Sequence, residues 1–194
     1  MKHIFKTLVF GSLFCTSISP QGKVIILNGT STAGKSSIIK EFDSSYEHIA
    51  LDIFVPQEWA RILEEKTGKK HVALIHMNES EEESDKIDKQ IKEAGFSEKQ
   101  TAKIWTSMHG RMFKKIRNLA VQNKNVVVDT CLDEDKVISQ SLETFHGLQN
   151  VFWILVYCPF SDLVKRARGR KKREGRSMLF AQPLAHFYHL YKAK

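Results

Sequence analysis

Apolar residues gather in short blocks along the chain, and polar punctuation separates them. Lys23–Asn28 (Lys-Val-Ile-Ile-Leu-Asn) is a continuous apolar run and predicts a buried parallel strand. A loop of glycine, serine and threonine follows at once, and Ser36–Phe42 predicts a helix with Ile38 and Ile39 on one side. Strand, glycine loop and helix in this order form the first half of a βαβ unit. His48–Phe54 is a second strand-like stretch that carries Asp52 near its end, and Pro56 is expected to stop it. Gln57–Glu65 predicts a helix, with Trp59, Ile62 and Leu63 at core spacing.

Asn78–Lys89 is polar and acid-rich, the pattern of a solvated face or loop. Ser97–Val121 predicts a long amphipathic helix, since Ile104, Met108, Met112 and Ile116 recur about once per turn. Asn125–Thr130 is a third buried strand, with Asp129 at its end, and Glu134–Phe145 is a helix. Asn150–Cys158 is a fourth strand; Pro159 ends it, and Ser161 is placed to cap the helix that follows. A last, weaker helix is predicted over Leu179–Lys192. Strands alternating with helices, without internal repeat or linker, predict one α/β domain over residues 21–194: a three-layer sandwich around a mostly parallel sheet.

Gly29-Thr30-Ser31-Thr32-Ala33-Gly34-Lys35-Ser36 fits the phosphate-loop pattern G-x-x-x-x-G-K-[ST]. The glycines let the backbone curl so that successive amide N–H groups point inward at an anion. The helix that opens there adds its positive end. Lys35 reaches the outer phosphates as a point charge, and the Ser36 hydroxyl is placed to ligate Mg²⁺. The expected ligand set for ATP is Gly29 through Ser37. Asp129 is the expected partner of Ser36 at the metal, usually through water; the other reading makes it the cap of the helix near residue 134. Asp52 lies where the crevice of an open parallel sheet is expected. A carboxylate there can orient an acceptor hydroxyl and take its proton, and the alternative is a helix cap or surface acid.

Charge changes the picture in one place. The net charge is +8, and Lys165–Arg176 holds eight cations in twelve positions. As a lid over residues 165–177, this segment would bring Arg166, Arg168, Arg170 and Arg173 to the triphosphate, with Gly169 and Gly175 as flexible points. The other readings are a nucleic-acid or membrane patch and a solvated basic loop. No aromatic residue interleaves the arginines, which counts against single-strand binding, and no nucleic-acid partner is expected. Three cysteines (Cys15, Cys131 and Cys158) without CxxC spacing argue against a disulfide framework or a zinc site. Cys131 and Cys158 are expected as buried thiols. His71, His76, His109, His186 and His189 show no metal spacing.

Lys2 and Lys6 followed by Leu8–Cys15 give residues 1–20 the shape of a secretory signal, though no small-x-small site follows. The alternative is an extension packed on the domain. The run is too short for a stable membrane span, and a cytoplasmic location is expected, with export as the alternative.

Ile25–Ser36 closely resembles the phosphate loop of chloramphenicol 3-O-phosphotransferase-like proteins. Asp52 looks like that family's catalytic aspartate, Asp129 like the acid on its next central strand, and Ala167-Arg168-Gly169 like its lid; Gln182 and His186 echo a Gln and a His beyond the lid. The resemblance spans roughly residues 23–190 and is specific in the phosphate loop. It implies a fold like the nucleotide and shikimate kinases, and ATP- and Mg²⁺-dependent phosphorylation of a small-molecule hydroxyl. In this reading Lys35, Arg168 and Arg170 stabilise the transferred phosphoryl group and Asp52 is the base. Two features depart from the family pattern. The stretch after Asp52 is enlarged and acid-rich, and a closing strand and helix expected near the end are not apparent. Chloramphenicol is therefore not carried over as the acceptor. The alternatives are a nucleoside, nucleotide or metabolite kinase, and a nucleotide-binding exported effector without turnover.

Overall fold

The computed structural model describes residues 20–30, 32–70, 81–132 and 134–174. Four strands, β1 (Val24–Asn28), β2 (Tyr46–Ala50), β3 (Asn125–Thr130) and β4 (Val151–Leu155), form one parallel sheet in the order β2-β3-β1-β4. Among the described residues, six helices accompany them: α1 (Lys35–Ile39), α2 (Leu51–Thr67), α3 (Glu81–Glu93), α4 (Glu98–Val121), α5 (Asp135–Phe145) and α6 (Phe160–Glu174).

β1 and β3 occupy the middle of the sheet and are apolar on both faces, as strands covered on both sides must be. Val24, Ile26, Val126 and Val128 face a cluster with Met112, Phe113 and Ile116 of α4 and Val137 and Phe145 of α5. Leu27 and Val127 face the opposite way, onto Ala33, Leu163 and the half-buried Ile39 and Phe42. Successive residues of one strand thus feed two separate helix layers, and the predicted three-layer α/β sandwich is present.

The capping box at Ser97 fixes the start of α4: the Ser97 hydroxyl accepts from the Gln100 amide, and the Gln100 side chain accepts from the Ser97 amide. β3 has the predicted bounds, and Glu134 is the N-cap residue of α5.

Several expectations are corrected. The stretch over residues 48–54 is not one strand: β2 ends at Ala50 and α2 begins at Leu51, so Asp52 lies in a first helical turn. Pro56 does not stop the chain but sits inside α2. It removes one ladder bond, the one that would end on the Asp52 carbonyl, while burial of Phe54, Trp59, Ala60 and Leu63 holds the helix in place. The described part of the acid-rich segment is helical. Ile91, with Ile87 one turn before it, packs on Trp59, Leu63 and Met108, a two-residue apolar stripe too sparse to stand out among the charges. α6 starts at Phe160, so Ser161 is helical and not a cap; the amides of Asp162 and Leu163 bond to the Pro159 carbonyl. Residues 165–174 continue that helix, and Gly169 lies within it rather than at a flexible point.

β4 is shorter than expected and lies at the sheet edge, with Phe152, Trp153, Ile154 and Leu155 exposed. Cys158 is buried, whereas Cys131 is only half-buried, because it follows the end of β3. His109 is a satisfied core residue, its Nδ1 3.0 Å from the Trp105 carbonyl oxygen. Residues 1–19, Cys15, His71, His76, Gly175, Gln182, His186, His189 and the helix expected over 179–192 lie outside the described residues. Among the described residues, no helix is long and apolar enough to cross a membrane.

Phe113 is 1% exposed where α4 meets α5 and the sheet, stacked edge-on against Phe145. Phe113→Ala is expected to cost about 3–5 kcal/mol, the range for deleting a buried aromatic. Urea denaturation checks this, and a loss below about 1 kcal/mol would contradict the packing.

Candidate functional site

The strand register sets the site. Leu27 pairs with Asp129 and Asn28 with Thr130, while Ala50 pairs with Asp129 from the other side. The C-terminal ends of β1, β2 and β3 therefore lie level, and the chain leaves them into the glycine loop, α2 and the turn before α5. This is the edge at which open parallel sheets bind ligands.

Asn28 joins two of these ends. Its side-chain amide donates to the Leu132 carbonyl at 3.2 Å and accepts from the Leu132 amide at 2.7 Å. Gly29 then passes so close to the segment after β4 that a Cβ would lie 2.4 Å from the Val156 carbonyl oxygen. The loop next takes two left-handed residues, Thr32 at φ 63° and Gly34 at φ 111°. A β-branched residue at positive φ is held there by its surroundings. Thr30 and Ala33 are buried, Ser37 is exposed on α1, and Ser31 lies outside the described residues.

Lys35 is 9% exposed and opens α1. Its Nζ donates to the carbonyl oxygens of Gly29 at 2.8 Å and Thr30 at 3.0 Å, and stands 3.5 Å from Asp129 Oδ1. Ser36 Oγ donates to Asp129 Oδ2 at 3.4 Å. The sequence-predicted Lys35, Ser36 and Asp129 thus meet, and Asp129 is not the cap of α5. Burial raises the Asp129 pKa above the ordinary aspartate value. The Lys35 charge opposes this, the nearby Asp52 carboxylate adds to it, and His48 opposes it. Asp52 is exposed; Ala50, not Asp52, is the N-cap residue of α2.

Ser36 and Asp129 fit a magnesium ion chemically. Both present hard oxygens, and a site with few protein ligands leaves positions for water and phosphate. Among the described residues no group of three or more His, Cys, Asp or Glu could hold a metal by itself.

The basic helix reaches the loop through one residue. Arg166 Nη1 donates to the carbonyls of Ala33 at 2.9 Å and Thr32 at 3.3 Å. Arg168 is exposed, with no hydrogen bond or ion pair to the loop among the described contacts, and the side chains of Arg170 and Arg173 lie outside the described residues. Asn28 and His48 were not singled out in the sequence as site residues. The signal for Asn28 is a lone amide closing an apolar strand just before Gly29; His48 carries no comparable mark.

Strand, glycine loop, α1 and the parallel sheet define a P-loop kinase-like α/β fold. The sequence profile described as "Chloramphenicol phosphotransferase-like protein" matches residues 22–193. The chain belongs to that family. No curated protein matches it. Among solved structures, a chain of the Pnkp1/Rnl/Hen1 RNA repair complex matches with TM-score 0.53 and 13% identity, over 89% of this chain and 45% of that one. A gluconokinase from Sinorhizobium meliloti 1021 matches with TM-score 0.47 and 15% identity, over 88% and 75%. This chain spans less than half the length of the RNA-repair chain, and at 13% identity that likeness shows the fold alone.

Gly29→Ala should displace the loop, because the obstacle is backbone and cannot swing away. A loss of about 1–3 kcal/mol is expected in a denaturant titration, and an unchanged midpoint would contradict the close approach.

Proposed function

We propose that the protein is an ATP-dependent phosphotransferase acting on a hydroxyl of a small molecule. One observation carries the reading. A nearly buried lysine, a serine hydroxyl and an aspartate share one point at the end of a glycine loop, with a second carboxylate, Asp52, close enough to perturb that aspartate. Family membership over residues 22–193 supports the same class of activity.

The loop amides and the first turn of α1 would hold the triphosphate, since the first amides of a helix have no acceptor within it. Gly29, Thr30, Ser31, Thr32, Ala33, Gly34 and Ser37 belong to that cradle. Lys35 would turn from the loop carbonyls to the β- and γ-phosphates. Ser36 and Asp129 would hold Mg²⁺, which supplies charge neutralisation on the phosphates when bound. Arg166 would exchange the Thr32 and Ala33 carbonyls for phosphate oxygens, with Arg168, Arg170 and Arg173 on the same helix adding positive charge along α6.

Asp52 is the proposed base. Its carboxylate takes the proton of the acceptor hydroxyl as that oxygen bonds to the γ-phosphorus. The bond from phosphorus to the bridging oxygen breaks, and ADP leaves with the electron pair. The exposure of Asp52 at the crevice suits contact with an acceptor. The acceptor is read as small and not a nucleic acid, and the working location as the cytoplasm.

Two variants separate binding from chemistry. Lys35→Ala should weaken MgATP binding at least about tenfold by calorimetry, equal to about 1.4 kcal/mol. Asp52→Ala should bind MgATP like the wild type yet lower phosphoryl transfer by about 10²–10⁴ in a radiolabelled ATP assay against a metabolite pool. Full transfer by Asp52→Ala removes that residue from the chemistry, and no MgATP binding by the wild type removes the whole reading.

Acid should act through Asp129. Its ionised form is needed at the metal, and its pKa lies above the ordinary aspartate value. Magnesium-dependent ATP affinity is therefore expected to fall on acidification before an ordinary aspartate would protonate. Asp129→Asn should abolish that pH dependence, and an unchanged acid limb in the variant would assign it to another group.

A further inference from the structure

A second place in the molecule has the makings of a ligand site. α4 leads into the start of β3 and α5 follows its end, so both helices run opposite to the strands and lie side by side in the same direction. Their first turns therefore share one end of the molecule. There they bound a groove of about 430 Å³ lined by Lys99, Lys103, Thr106 and Ser107 of α4 and Lys136 and Gln140 of α5.

Three ammonium groups line this groove, and among the described residues none lies within ion-pair distance of a carboxylate. Each helix also presents the positive end of its dipole to the same region. Acids are present in these turns too, Glu98 in α4 and Asp135 in α5.

A second, independent observation concerns Gln140, which lines the groove. Gly110 has no side chain, and the Gln140 amide lies against α4 at that gap: a Cβ on Gly110 would fall 2.5 Å from Gln140 Nε2. The other end of the amide, Gln140 Oε1, is buried and has no hydrogen-bond partner. Buried acceptors are normally satisfied, and this orphan belongs to a side chain that lines the groove, where a turn of the amide would bring Oε1 to a donor from outside. Ser107 and Thr106 add hydroxyl groups; Ser107 Oγ already accepts from Arg111 Nη1 at 3.0 Å and keeps its own proton to donate.

We propose that the groove between α4 and α5 binds a small organic anion, a phosphate or carboxylate that also carries a hydroxyl or amine donor. The lysines take the anionic group and Gln140 Oε1 takes the donor. None of the lining residues belongs to the phosphate loop, so the site does not depend on the transfer reading.

Amide chemical shifts mapped by nuclear magnetic resonance on the full chain test this. The probes are ribose 5-phosphate and tartrate, with ribose as the neutral control. Either anion should move amides in 99–107 and 136–140, and ribose should not. The triple variant Lys99→Gln, Lys103→Gln, Lys136→Gln should weaken that response at least tenfold while leaving the shifts that ADP induces at Gly29–Ser37 in place. Gln140→Leu should bind more weakly yet unfold no more easily than the wild type, because it deletes an unsatisfied group; a residue with a purely structural role would lower stability instead. Shifts confined to Gly29–Ser37, no shift with either anion, or equal affinity in the triple variant would overturn the proposal.

Discussion

Everything at the sheet's C-terminal edge depends on keeping one cation in a nearly closed space. A buried ammonium is tolerable only when its protons have acceptors and its charge a counter-charge. Lys35 finds them in the Gly29 and Thr30 carbonyls and in Asp129. The carbonyls leave the end of β1 and the carboxylate stands near the end of β3, so the cluster exists only while those strands keep their register. A slip of one residue would turn Asp129 to the opposite face of the sheet and leave the lysine without its counter-charge. The Asn28–Leu132 amide bridge fixes the alignment at the point where it matters, one residue before the loop begins.

The helix layers serve that alignment unequally. α4 and α5 bury their aromatic and aliphatic stripes on one face of the sheet. α1 and α6 cover the other face more thinly; α1 is only five residues long. The thinner layer is the one that touches the loop, through Thr32 to the Leu163 carbonyl and through Arg166. α2 extends the site in another direction. Its start directly after β2 puts Asp52 beside the cluster, while Trp59 and Leu63 bind it to α3 and α4.

Much of this was legible in the residues. The continuous apolar runs at Val24 and Val126 could only be strands covered on both faces, and G-x-x-x-x-G-K-S named the loop, the lysine and the serine together. Ile104, Met108, Met112 and Ile116, about one turn apart, announced α4. Other parts were not legible, for definable reasons. The run from His48 onward has no period that separates strand from helix, so the boundary at Ala50 was invisible, and Pro56 pointed the wrong way because burial of Phe54, Trp59, Ala60 and Leu63 outweighs the lost bond and the ring clash of an interior proline. α3 has one buried and one half-buried isoleucine amid charges. Arg166 was legible as a cation but not as a donor to loop carbonyls, since that role follows from where α6 lands. The crowding of Gly29 against Val156 is likewise a long-range fact that no local pattern carries.

The self-contained bonding of the glycine loop has a consequence for discrimination. Its lysine already holds two carbonyls, and Arg166 holds two more on the outer side. Any visitor must offer more than it displaces. On the proposed reading, a solitary orthophosphate would have to interrupt bonds that the loop already makes. On the same reading, a chain of linked phosphates would engage the lysine, the opening amides of α1 and the arginine at once. The protein's own backbone would thus, on that reading, compete with a single phosphate for the lysine and the arginine.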